Sequence, residues 1–190
     1  MQRSTGLSNR RSSGALLVGG FALLIPGVVF AVSSQTGSSY VPPSFSARAG
    51  AILLSAGLAL TFLGLLGFDR VLRDAGDRVL SGMGTVAYAL AVVSWLFATE
   101  RGLVAHEWPY GFEVGYIVAA HLSMLAFAAA VIRTGAIPRW IGWLAAAWAA
   151  GGLILFALPR EGYPPLFPQF VPLLFGVALL RTASADQLHG

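Results

Sequence analysis

Between Glu100 and His121 the chain gathers most of the side chains that could do chemistry: Glu100, Arg101, His106, Glu107, Glu113 and His121. Imidazole and carboxylate ligands together suit Zn, Fe or Mn. A divalent metal held by His106, Glu107, Glu113 and His121 would activate water for a hydrolase-like reaction. The spacing matches no metal motif, because His106 and Glu107 are adjacent and no His-Glu-x-x-His helix is present. A second chemistry needs no cofactor. An unperturbed imidazole titrates near neutrality, so His121, with Glu100, Arg101 and Gln169, would form a proton-sensitive gate or a ligand contact. In a purely structural reading His121 bonds a Ser, a Tyr or a freed carbonyl of a neighbouring helix, and the loop charges are simply solvated. Haem ligation needs two facing histidines, and only one lies within an apolar stretch.

Other chemistry is excluded more simply. Zero Cys removes disulfides, thiolate zinc sites and Cys nucleophiles. Ser94 and Ser123 lack an Asp–His set at recognisable spacing. Gly19-Gly20 and Gly151-Gly152 lie in apolar stretches without the basic and hydroxyl residues that follow a phosphate loop.

What must position the candidates is a membrane. Of 190 residues, 56% are hydrophobic and only 11% charged, with a mean hydropathy of +0.74; soluble domains carry about a quarter charged residues. This excludes a soluble enzyme, a disordered chain and a nucleic-acid binder. A helix crosses the hydrocarbon core with roughly 20 mainly apolar residues. Six such stretches occur, at about 15–32, 47–67, 80–98, 114–132, 138–157 and 165–180, none with an acid or Arg at its middle. The predicted fold is therefore all-α: a single polytopic domain over 1–190, a six-transmembrane-helix bundle.

The arginines predict its orientation. Nine of the 12 (Arg3, Arg10, Arg11, Arg70, Arg73, Arg78, Arg133, Arg139 and Arg181) fall on one side if the spans alternate, and Arg48, Arg101 and Arg160 on the other. Both termini are expected in the cytoplasm of a bacterial plasma (inner) membrane. The basic start and the stretch to Ala31 could pass as a signal peptide, but we read them as an uncleaved first helix. Tyr40, Trp95, Trp108, Tyr110, Tyr116 and Tyr163 are expected at the outer headgroup level, and Trp140 and Trp143 at the inner one.

Packing in lipid depends on small residues that let backbones approach. Gly50, Gly57 and Gly64 recur every seven residues, and Gly115, Ala119, Ser123, Ala126 and Ala130 stripe the fourth span. At 100° per residue His121 lies away from that stripe and should meet a second neighbour, a cavity or lipid. Pro26 should kink the first span. Pro164, Pro165, Pro168 and Pro172 should bend or unwind the start of the sixth, beside Gln169. The alternating charges from Asp69 to Arg78 predict an exposed helix with i,i+4 pairs. No inverted repeat is visible, which weakens a carrier reading.

The hairpin Arg133-Thr-Gly-Ala-Ile-Pro-Arg-Trp-Ile-Gly-Trp-Leu144 resembles a group of uncharacterised six-span integral membrane proteins common in actinobacteria. The resemblance implies a helical membrane bundle and supplies no activity or site residues. The leading functional expectation is a non-catalytic protein without a cofactor, either an accessory subunit of a membrane assembly or a small-ligand binder open to the outer leaflet. Its partners would be the bilayer and other membrane subunits. The alternatives are the metal-dependent membrane enzyme and a small-molecule carrier.

Overall fold

The computed structural model describes residues 2–35, 45–104, 110–158 and 166–188. Among these there is no strand. The helices are α1 (Gln2–Gln35), α2 (Phe45–Asp74), α3 (Val79–Val104), α4 (Tyr110–Thr134), α5 (Arg139–Ala157) and α6 (Phe170–Leu188), the last preceded by a 3₁₀ turn at Phe167–Gln169. All six are long and apolar enough to cross a membrane, and the chain is an integral membrane protein. The helices outrun the apolar stretches. Helix α1 begins thirteen residues before Ala15 because polar residues continue a helix into headgroups and water as readily as apolar ones. It also passes through Pro26 without ending.

Two turns at one end of the bundle are built on glycine. After α2, Gly76 takes φ +98°; its N–H bonds the Arg73 carbonyl at 3.0 Å, and the Asp77 N–H bonds that of Leu72 at 2.9 Å. These two bonds satisfy carbonyls that the helix end would otherwise orphan. After α4, Gly135 at φ +66° closes on the Val131 carbonyl at 2.8 Å. The charged segment expected to be an exposed helix proves otherwise. Asp69 and Arg73 do pair, at 2.7 Å, but on the last turns of α2. Asp69 and Asp77 are both buried. Asp77 accepts the Ser81 N–H at 3.1 Å and lies 3.6 Å from Nη1 of Arg133, tying the α2–α3 turn to the end of α4. Buried carboxylates need such partners.

The helices form a ring in chain order, closed by α6 against α1. Contacts are most extensive along α1–α2, α1–α6, α3–α4 and α4–α5, and thinnest along α2–α3 and α5–α6. The bundle thus divides into one group of α6, α1 and α2 and another of α3, α4 and α5. Within the first group, α1 and α2 touch backbone to backbone. A Cβ on Gly20 would lie 2.8 Å from the Gly57 carbonyl oxygen, and one on Gly57 would lie 2.9 Å from that of Gly20. Within the second, Ser123 Oγ donates to the Gly84 carbonyl at 2.7 Å, and Gly142 fits against the Ala128 carbonyl. Between the groups the contacts are aromatic. Phe68 of α2 meets Phe127 of α4 at 5.7 Å between ring centroids, and Phe175 of α6 backs Phe68 from within its own group at 5.0 Å.

Candidate functional site

The joint between the two helix groups also holds a buried polar clasp. The Tyr88 hydroxyl of α3 donates to Oε1 of Gln169 at 2.8 Å. Nε2 of Gln169 in turn donates to the Tyr116 hydroxyl of α4 at 2.9 Å. All three residues are at most 2% exposed. Thr61 of α2 stands beside Tyr88, its own hydroxyl donating to the Gly57 carbonyl at 2.9 Å. Four helical elements therefore send polar groups to one place. In a membrane this arrangement follows from necessity, since water cannot satisfy a buried hydroxyl or amide there.

Sequence explains how Gln169 reaches this depth. Arg181 lies twelve residues further along, so Gln169 stands about 18 Å above it at helical rise, beyond the middle of a core roughly 30 Å thick. Pro168 and Pro172 supply no N–H, and the chain enters α6 through a 3₁₀ turn with the Gln169 N–H on the Leu166 carbonyl at 2.9 Å. The expected unwinding beside Gln169 is present. Trp148 of α5 holds that turn from the lipid side. Its Nε1–H donates to the Phe167 carbonyl at 2.8 Å, and its ring stacks on Phe167 at 4.6 Å and 15°.

His121 is fully buried one layer away. Its Nδ1 lies 2.7 Å from the Ile117 carbonyl, which can only accept, so Nδ1 carries a proton. The partner of Nδ1 is thus a carbonyl of its own helix, one turn back. The ring stacks on Phe167 at 6.3 Å and 24°. Nε2 points at Gly152 of α5, where a Cβ would collide with it. The small stripe of α4 meets α3 instead, through Gly115 beside Ser94 and Ser123 beside Gly84. His121 accordingly takes the second neighbour, one of the three outcomes its helical phase allowed.

The other candidates lie apart. Glu100 and Arg101 are exposed on the last turns of α3, about 18 Å along the helix from Tyr88. Glu113 is half-buried in the first turn of α4. Eight residues of unbroken helix separate it from His121, about 12 Å, and the metal bonds of either group span only about 2.0–2.2 Å. His106 and Glu107 lie outside the described residues. Among the described residues no group of three or more His, Asp or Glu side chains converges. Of the expected site residues, then, Gln169 and His121 are linked through Phe167, and the other described ones do not join them.

Three contributors went unread in the sequence: Tyr88, Thr61 and the true place of Tyr116. Tyr116 was expected at the headgroups with Trp95. Instead both are buried and pack on each other at 5.1 Å. Trp140, Trp143 and Tyr110 are exposed at helix ends, as expected. A Tyr at the centre of an apolar stretch, as Tyr88 is, was the available signal, because its hydroxyl must find a partner when buried. No family model, curated protein or solved structure matches this chain.

Proposed function

We propose that the chain is a non-catalytic protein of a bacterial plasma (inner) membrane, both termini cytoplasmic, that binds a small polar ligand at the joint between its helix groups. The Arg asymmetry supports the orientation. The clasp of Tyr88, Gln169 and Tyr116 carries the ligand reading. Few convergent polar groups in apolar surroundings are what orients a small ligand. When the joint is closed these groups satisfy one another. A polar ligand entering from the face opposite the termini would exchange those bonds for its own, so opening has a small net hydrogen-bonding cost. His121 and Phe167 would form the wall of such a site.

Mass spectrometry of solvent extracts from purified wild-type protein and Gln169→Leu tests this reading. The expected result is a low-mass compound near one per chain in the wild type and absent from the variant. Identical extracts would contradict it. A second reading is an accessory subunit, in which the large apolar residues that α3 and α5 present outward, such as Val86, Leu90, Trp143 and Ile154, would meet a partner helix in place of lipid. A membrane protein co-purifying stoichiometrically with both forms, with no differing compound, would put that reading first. The metal-dependent enzyme and the carrier have no comparable observation behind them.

A further inference from the structure

On the opposite side of α6 from the glycine-packed helices, α5 and α6 diverge and leave an apolar groove of about 350 Å³, lined by Leu144 and Trp148 of α5 and by Phe170, Leu174 and Val177 of α6 among others. Its upper end is blind. Trp148 and Phe170 meet there at 5.4 Å between ring centroids, and the Trp148 hydrogen bond to Phe167 fixes that stopper.

The groove's other end runs toward the face that carries the termini, and helical phase identifies what stands there. Residues four apart share a helix face. Arg181 therefore continues the Val177 stripe of α6, and Trp140 continues the Leu144 and Trp148 stripe of α5. Both are exposed, and Arg181 has no acidic partner among the described residues. Arg139, by contrast, turns toward Gly135 at the end of α4. From Phe170 to Arg181 is eleven residues, about 16 Å at helical rise, which matches half of a hydrocarbon core roughly 30 Å thick. The apolar groove, from Phe170 to Val177 on α6, and the helix turn that follows it to Arg181 thus span about one leaflet, with an exposed cation and an interfacial indole at that end.

We propose that this groove holds one acyl chain of an anionic phospholipid from the leaflet on the side of the termini, with its headgroup on Arg181. The apolar wall accepts any chain, while the guanidinium selects for a negatively charged head, since Arg is suited to phosphate recognition. Trp140 would lie against the glycerol region, where indole rings prefer to sit. The site is independent of the polar clasp and does not require it to bind anything.

The test is native mass spectrometry of the delipidated, detergent-purified full chain, titrated with phosphatidylglycerol or phosphatidylcholine of identical chains. The wild type should retain one phosphatidylglycerol with a preference of about fivefold over phosphatidylcholine, the worth of one basic residue at an anionic surface. Arg181→Gln should abolish the preference while leaving weak binding of both lipids. Val177→Trp, which fills the groove, should reduce binding of both. Arg78→Gln, an exposed Arg on the α2–α3 turn, should change neither. A wild type without preference, an Arg181→Gln form that keeps it, or undiminished binding by Val177→Trp would overturn the proposal. Displacement of phosphatidylglycerol by an equal concentration of free fatty acid would also overturn it, since that would assign the groove to single-chain lipids.

Discussion

The contact of α1 with α2 and the joint between the two helix groups solve the same problem by different means. Along α1–α2 there is almost no side chain between the backbones. Gly20 and Gly57 each lie under the other's carbonyl, and Leu17 caps Gly64. Dispersion and weak Cα–H···O contacts hold such a surface, and both depend on close approach over its whole length. Across the joint the helices stand further apart. Aromatic rings fill the space, and Tyr88, Gln169 and Tyr116 carry the specific bonds. The first surface tolerates little separation, because a gap of about 0.5–1 Å already forfeits roughly a quarter to a half of its dispersion energy. The second is held by a few bonds that a ligand or a water could replace one for one. Opening for a ligand, as the proposed function requires, would therefore fall at the joint rather than along α1–α2.

The comparison is broken most severely by a methyl group on the fixed side. Gly57→Ala places a Cβ 2.7 Å from Leu24 Cδ2 and 2.9 Å from backbone oxygen. Thermal unfolding in detergent should show a loss of about 2–3 kcal/mol, the upper part of the range for overpacked cores. The joint should tolerate more. Gln169→Leu removes the acceptor of the Tyr88 hydroxyl and the amide donor to Tyr116, and the same assay should show a loss of about 1–2 kcal/mol. A cycle of Tyr88→Phe with Gln169→Leu sharpens the point. The two losses should overlap by about 0.6 kcal/mol, as is usual for side-chain hydrogen bonds between membrane helices; strict additivity would mean that the clasp bond contributes nothing. The smallest effect has the opposite sign. Gly19 faces open space, so Gly19→Ala should raise stability by about 0.5 kcal/mol through helix propensity alone. A loss there as large as that for Gly57→Ala would show that contact is not what distinguishes the two glycines.

How much of this was legible in the sequence depends on whether a feature is local. Six apolar stretches of sufficient length specify six helices without knowledge of their neighbours. The four prolines around Gln169 specify a disturbed start to α6 because the missing N–H groups act on the chain's own carbonyls. Asp69 and Arg73, four apart, specify their own pair. The clasp is different. Its two bonds join residues 81 and 53 positions apart, and nothing in their spacing says which helix faces will meet. Tyr116 illustrates the error this produces. One turn and a half into α4 it has the position of a headgroup aromatic, and only the arrival of Gln169 across the bundle turns it into a core residue. The cluster from Glu100 to His121 misleads for the converse reason: proximity along the chain becomes distance along a helix axis.

The central claim is that the joint opens and the contacts inside each helix group do not. The chain has no Cys, so two single replacements test it directly: Tyr88→Cys in the clasp and Ser123→Cys inside the α3–α4 contact, both fully buried. Each is treated in native membranes with a small water-soluble thiol reagent, and labelling is followed over time. The account predicts slow but complete labelling of the Tyr88→Cys protein, accelerated by Gln169→Leu, and none of the Ser123→Cys protein over the same period. Equal protection of both positions, unchanged by Gln169→Leu, would contradict it.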